Sequence, residues 1–263
     1  MTDSPFVIRV ENVTQRFRVV HERPDSVREL FAKLFRKKVK YHDFEAVKNA
    51  SLSVRRGEVV GIIGRNGSGK STLLKVIAGV YRPSMGRVMV TGSIAPLIEL
   101  GAGMHPELTG RENILLNGLL MGFSKQEMLQ REQRIMEFAD LGDFIEAPIR
   151  QYSSGMYMRL AFAVATEVDP DILVMDEVLA VGDLEFQAKC FNRLRRFRES
   201  GKTILIVTHS MTQIEEICSR AIYLDHGRIV IDGNPAEVIE QYQRSALTAV
   251  EEPILVEAPS VHG

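Results

Sequence analysis

Residues 64–72 read Gly-Arg-Asn-Gly-Ser-Gly-Lys-Ser-Thr, an order of small and charged groups suited to holding phosphate. Gly64, Gly67 and Gly69 let successive backbone N–H groups curl around phosphate oxygens ahead of a helix N-terminus, with Asn66, Ser68 and Thr72 in the same cradle. Lys70 would reach the β- and γ-phosphates of a nucleoside triphosphate and Ser71 its Mg²⁺. By composition alone the four fixed positions of this pattern match in roughly 1% of chains of this size. A glycine turn without a ligand is the alternative, and the flanking elements count against it. A second motif, residues 172–177, is an apolar run ending in Asp176 and Glu177. Paired carboxylates at a strand end can hold Mg²⁺, here through Asp176, and polarise an attacking water, here through Glu177. Taken alone, such acids commonly cap a helix.

These groups need elements to position them. Residues 59–64 form an apolar run that predicts a buried strand entering the glycine-rich turn, and residues 70–78 predict a helix. The short apolar runs 172–175 and 204–207 each end in polar residues, as parallel strands covered on both faces do. A first strand is expected over 6–10, and residues 107–168 read as mostly helical. The fold class that follows is α/β, with a phosphate loop in a mixed-sheet core and a helical subdomain.

The chain has 263 residues, 45% hydrophobic and 25% charged, which excludes disordered, collagen-like and disulfide-scaffold classes. Its 33 Lys and Arg against 34 Asp and Glu leave a net charge of −1, so nothing points to a nucleic-acid partner. Cys190 and Cys218 lack metal-ligand spacing and fit a reducing compartment. No apolar core is visible in residues 1–20 for a signal peptide, and no run of ~18 apolar residues would span a membrane. Within an apparent insertion, 21–44, Val27, Leu30, Phe31, Leu34 and Phe35 form one apolar helical stripe beside Lys33, Arg36, Lys37, Lys38 and Lys40. Ser26 and Glu29 suit a capping box. Such a helix can lie at membrane headgroups or against a membrane partner, or pack on its own domain.

Tyr152-Ser153-Ser154-Gly155-Met156, just ahead of the second strand motif, brings the chain to a family. It resembles the ATP-binding subunit of ABC transporters, whose usual signature is Leu-Ser-Gly-Gly-Gln. Ser153 and Gly155 match it, while Tyr152, Ser154 and Met156 depart. Asp183 falls at the family's D-loop aspartate and His209 at its switch histidine, so the ordered set extends over about residues 6–244. The family's Q-loop glutamine has no clean match. Glu99 is the candidate substitute, as a metal or coupling residue or as a surface acid facing the membrane partner. This departure, the segment 101–113 and the Tyr-Ser-Ser-Gly-Met signature resemble the subgroup that exports polysaccharides and teichoic acids. The family places an aromatic ring on adenine soon after the first strand, where Phe17 stands. Tyr41 and Phe44 compete for that role, and core packing is an equal alternative for each.

The resemblance implies an ATPase using ATP and Mg²⁺, with two copies meeting head to tail. ATP held by Lys70, Ser71, Asp176 and Glu177 of one copy would be completed by Ser153 and Gly155 of the other. Glu177 would orient the water and His209 would contact the γ-phosphate. It further implies a polytopic membrane permease in a 2+2 assembly at the cytoplasmic face of the inner membrane. The implied cargo is a lipid-linked cell-surface polysaccharide, O-antigen-type first, with teichoic acid, capsule or another glycolipid as alternatives. A soluble ABC-type ATPase of DNA repair or translation would need long coiled-coil insertions or a second ATPase domain. Residues 227–233 predict a strand and 234–237 a helix start, the ATPase domain closing near Arg244. Residues 245–263 carry Glu251, Glu252 and Glu257 without Lys or Arg and read as a loose acidic tail, too short for a glycan-binding β-sandwich of around 100 residues.

Overall fold

The three apolar runs of the sequence become β3 (Val59–Ile63), β6 (Ile172–Asp176) and β7 (Thr203–Val207), neighbours in one six-stranded sheet. The computed structural model describes residues 5–20, 41–98, 101–167, 169–176 and 183–251. The sheet order is β5-β6-β7-β3-β8-β9, where β5 is Ile94–Leu97, β8 Arg220–Asp225 and β9 Arg228–Gly233. All neighbours are parallel except β9, which returns antiparallel to β8. Alternation decides which face each residue covers. Val60, Ile62, Ile172, Val174, Leu205 and Val207 enter one apolar layer, and Val59, Ile63, Leu173, Met175, Ile204 and Ile206 enter the other.

The first layer is closed by α1 (Lys70–Ile77) and a separate antiparallel sheet, β2-β1-β4, with β1 at Phe6–Val20, β2 at Tyr41–Arg55 and β4 at Met85–Val90. Here the expected first strand, 6–10, is too short. Beyond residue 10 the ladder shifts register near Asn12 and Asn49, both at φ 50, and then continues with Arg16 paired to Glu45 and Arg18 to Asp43. Those charges read as loop from one strand alone, and only the opposite strand explains them. Residues 41–44, assigned to the insertion, open β2. The amphipathic stripe of 27–35 lies outside the described residues.

The second layer is covered by α4 (Ser154–Glu167), α5 (Leu184–Glu199), α6 (Met211–Ile217) and α7 (Pro235–Glu251). The last of these runs past Arg244, so residues 245–251 are helical rather than a loose tail, and 252–263 lie outside the described residues. A third apolar cluster belongs to the helical part, built from α2 (Gly110–Leu120), α3 (Lys125–Ala139) and α4. Thr109 with Glu112 and Ser124 with Glu127 form reciprocal capping boxes that start α2 and α3. These hydrogen bonds hold both glutamates below the usual carboxylate range.

Glu167, the last residue of α4, fastens this helical part to the sheet layer. Its carboxylate is 8% exposed, accepts from Arg134 Nε of α3 at 2.6 Å and from Arg193 Nη2 of α5 at 3.1 Å. Arg131 donates to its backbone carbonyl at 2.6 Å. Only the carboxylate is buried, while Arg134 is 60% exposed and stays hydrated when its partner is removed. Glu167→Ala is therefore expected to lower unfolding free energy by about 1–2 kcal/mol, the worth of its charge-assisted hydrogen bonds, read from urea denaturation. An unchanged midpoint would show that the clasp is dispensable.

Candidate active site

Because β6, β7 and β3 run parallel and side by side, their C-terminal ends meet at one edge of the sheet, where α/β folds bind ligands. The glycine-rich loop leaves β3 there, Asp176 ends β6, and His209 follows β7 by two residues. The loop's shape is enforced by close approach on two sides. A Cβ on Gly64 would lie 2.1 Å from the Leu224 carbonyl oxygen, and one on Gly69, at φ 102, would lie 2.1 Å from that of Ala46. Only glycine fits between β8 and β2 at these points.

Lys70 opens α1 and is 5% exposed. Its Nζ donates to the carbonyls of Gly64 at 2.8 Å and Arg65 at 3.0 Å, which centres the ammonium in the loop. Ser71 follows it on the exposed side of the first turn, with Thr72 half-buried next to it, while Asn66 and Gly67 are exposed at the loop tip. Two polar atoms at this edge are buried without a hydrogen-bond partner: Ser68 Oγ and Asp176 Oδ1. Such atoms are costly unless a ligand satisfies them, so they suit a phosphate oxygen and a cation respectively. Among the described residues no group of three or more His, Cys, Asp or Glu could cage a metal. The Asp176 carboxylate and the Ser71 hydroxyl at this edge fit Mg²⁺, which is held by one or two side chains together with phosphates and water. Ser71 and Asp176 would hold it, and it would supply charge neutralisation between phosphate oxygens.

His209 is exposed, in the turn between β7 and α6. Sequence reading missed its brace: Thr208 Oγ1 donates to Gln213 Oε1 at 2.8 Å and accepts from Ser210 N at 3.1 Å. Ser210 caps α6 by accepting from Gln213 N. Glu177 and Glu99 lie outside the described residues.

Ser153 and Gly155 are not part of this edge but of the helical part. Ser153 is exposed at the start of α4, where its Oγ accepts from Met156 N at 3.2 Å. Asp183 caps α5 through Phe186 N at 2.8 Å and pairs with Arg159 of α4 at 3.7 Å. Arg159 also donates to the Ala139 and Asp140 carbonyls that end α3, and it lies over the Phe186 ring. Phe17 is half-buried, edge-on to Tyr81 at 5.5 Å, and stands opposite Phe44 in the β1–β2 ladder. Phe44 is exposed; nothing is described of the Tyr41 side chain. Cys190 and Cys218 are buried and unbridged, and burial pushes both thiols up to about 12, which removes them from nucleophilic chemistry.

Comparison with known proteins gives a consistent picture. The family model for ABC transporters matches residues 47–180. The O-antigen export system ATP-binding protein RfbB of Klebsiella pneumoniae is 45% identical over 244 residues, 91% of this chain and 98% of that protein. The teichoic acids export ATP-binding protein TagH of Bacillus cereus is 41% identical over 90% of this chain and 42% of its own length. Among solved structures, the dimeric bacterial ABC transporter cassette MJ0796 has TM-score 0.69 at 26% identity, covering 87% of this chain and 98% of that one. An ATP-binding subunit of an ABC transporter has TM-score 0.72 at 21% identity, covering 93% and 98%.

Two substitutions test the cradle. Ser68→Ala should leave the thermal midpoint equal or higher, since it deletes an unsatisfied buried group, while weakening a fluorescent ATP analogue about fivefold. Lys70→Ala should lower phosphate release at least ~100-fold, because it removes the charge positioned on the transferring phosphoryl group. A Ser68→Ala chain that loses stability but binds normally would contradict the assignment.

Proposed function

The chain belongs to the ABC transporter family, and from that premise we propose that it is the ATP-hydrolysing subunit of an exporter for a lipid-linked cell-surface polysaccharide, an O-antigen-type glycan first. The observation that carries the chemistry is the sheet edge, where the Lys70 cradle sits with the orphaned Ser68 Oγ and Asp176 Oδ1. Near-full-length similarity to the Klebsiella O-antigen export protein supports the cargo. Similarity to the TagH proteins favours a second reading, teichoic acid. Among the described residues no helix is long and apolar enough to cross a membrane, so export calls for a permease subunit, in a 2+2 assembly at the cytoplasmic face of the inner membrane.

In hydrolysis the loop N–H groups and Lys70 bind the phosphates, and Phe17 is the candidate ring for adenine to stack on, with Tyr41 and Phe44 as competitors. Ser71 and Asp176 would hold Mg²⁺, which would supply charge neutralisation on the phosphates. Glu177 orients the attacking water and accepts its proton, and His209, stiffened by Thr208 and Gln213, contacts the γ-phosphate. Ser153 and Gly155 act on the partner copy's nucleotide, with backbone N–H groups at the N-terminus of α4 directed at its phosphates. Asp183 holds the start of α5 against Arg159 behind the signature. Glu99 is a metal or coupling residue in the position of the family's glutamine.

Glu177→Gln keeps the shape of the acid and removes its basicity. Placed in the native host, it should leave long lipid-linked glycan on the cytoplasmic side and deplete the cell surface. Normal surface glycan in cells carrying only the variant would refute polysaccharide export; phosphate release at the wild-type rate would refute Glu177 as the base.

A further inference from the structure

Segment 101–113 is fastened at both ends to the helical part. At its far end, Asn113 of α2 is fully buried. Its Nδ2 reaches the carbonyls of His105, Leu108 and Thr109 at 2.9–3.1 Å, and its Oδ1 accepts from His105 N at 2.7 Å. At the near end, Tyr157 of α4 donates its hydroxyl to the Gly101 carbonyl at 3.0 Å, which also accepts from Met104 N at 2.9 Å. The fit is steric as well as polar. Gly101 sits at φ +83, and a Cβ there would lie 2.1 Å from Tyr157 Oη and 2.4 Å from Cζ. The tyrosine ring packs against the helical cluster, and burial pushes its hydroxyl above the usual phenol range.

β5 lies beside β6, with Leu97 opposite Met175, one residue from Asp176 at the chain's own candidate site, and Gly101 follows Leu97 by four residues in the sequence. Tyr157 lies in the first turn of α4, whose start carries Ser153, the residue offered to the partner's site. We propose that Tyr157 is a positioning residue that couples the two ATP sites of the dimer, its hydroxyl locking segment 101–109 to the signature helix. This rests on the shared-site reading above. Movement at one site then carries the helix that completes the other, instead of being absorbed by a slack loop.

Tyr157→Phe tests this directly, because the ring packing survives and Gly101 keeps its bond from Met104. In the full chain carrying Glu177→Gln, Mg-ATP should drive dimerisation, followed by sedimentation velocity. Adding Tyr157→Phe should raise the ATP concentration needed by about fivefold, the low end of couplings between sites. Binding of the fluorescent ATP analogue at protein concentrations below dimerisation should stay unchanged, and the thermal midpoint should fall by no more than the few degrees that one hydrogen bond is worth. Dimerisation at the parent's ATP concentration overturns the coupling role. A matching fall in thermal midpoint and nucleotide affinity also overturns it, by making the contact structural only. If the Glu177→Gln parent itself does not dimerise with ATP, the shared-site reading fails first, and the coupling falls with it.

Discussion

Burying an ammonium is among the costliest things a fold can do, and here Lys70 is held almost completely out of water. Its charge is tolerated because the loop turns the Gly64 and Arg65 carbonyls onto it. The loop keeps that shape only while β8 and β2 press on it through Leu224 and Ala46. Gly227 joins the parts: its carbonyl accepts from Lys48 N of β2, and its N–H donates to the Ser68 carbonyl. The antiparallel sheet, the parallel sheet and the phosphate loop are thus assembled around one positive charge.

The helical part is organised by different interactions, which tie it to the sheet without entering the chemistry. Glu167 fastens it at the C-terminal end of α4, and Arg159 fastens it at the start of α5. Together with Tyr157 these contacts give α4 defined attachments at both ends. A helix held in this way can deliver Ser153 to a partner molecule as a body, which a loop could not do.

Strands β3, β6, β7 and β9, the phosphate loop and the helix after it were legible in the sequence because their signals are local, whereas β2, β4, β5 and β8 were not read from it. Apolar runs, glycines and a strand-end carboxylate each sit within a few residues. The length of β1 was not legible, since Arg16 and Arg18 become strand residues only through Glu45 and Asp43 across the ladder. Glu167 reads as a surface acid until Arg134 and Arg193 arrive from other helices. Tyr157 and Gly101 are likewise unremarkable until the fold brings them together across the helical part. The placement of Lys70, Ser71 and Asp176 at the sheet edge was readable from motif and spacing, whereas the Thr208–Gln213 hydrogen bond beside His209 was not, because it depends on the turn that the chain makes.

The central claim is that each phosphate loop is one half of a site whose other half, Ser153 and Gly155, comes from a second copy. The most direct measurement mixes Asn66→Cys and Ser153→Cys chains and treats them with a short bismaleimide, the buried Cys190 and Cys218 staying silent. The account requires a covalent product between the two variants that forms with Mg-ATP and disappears without it. A cross-link that forms only within one chain when both substitutions share it, or no product between chains in the presence of ATP, would contradict it.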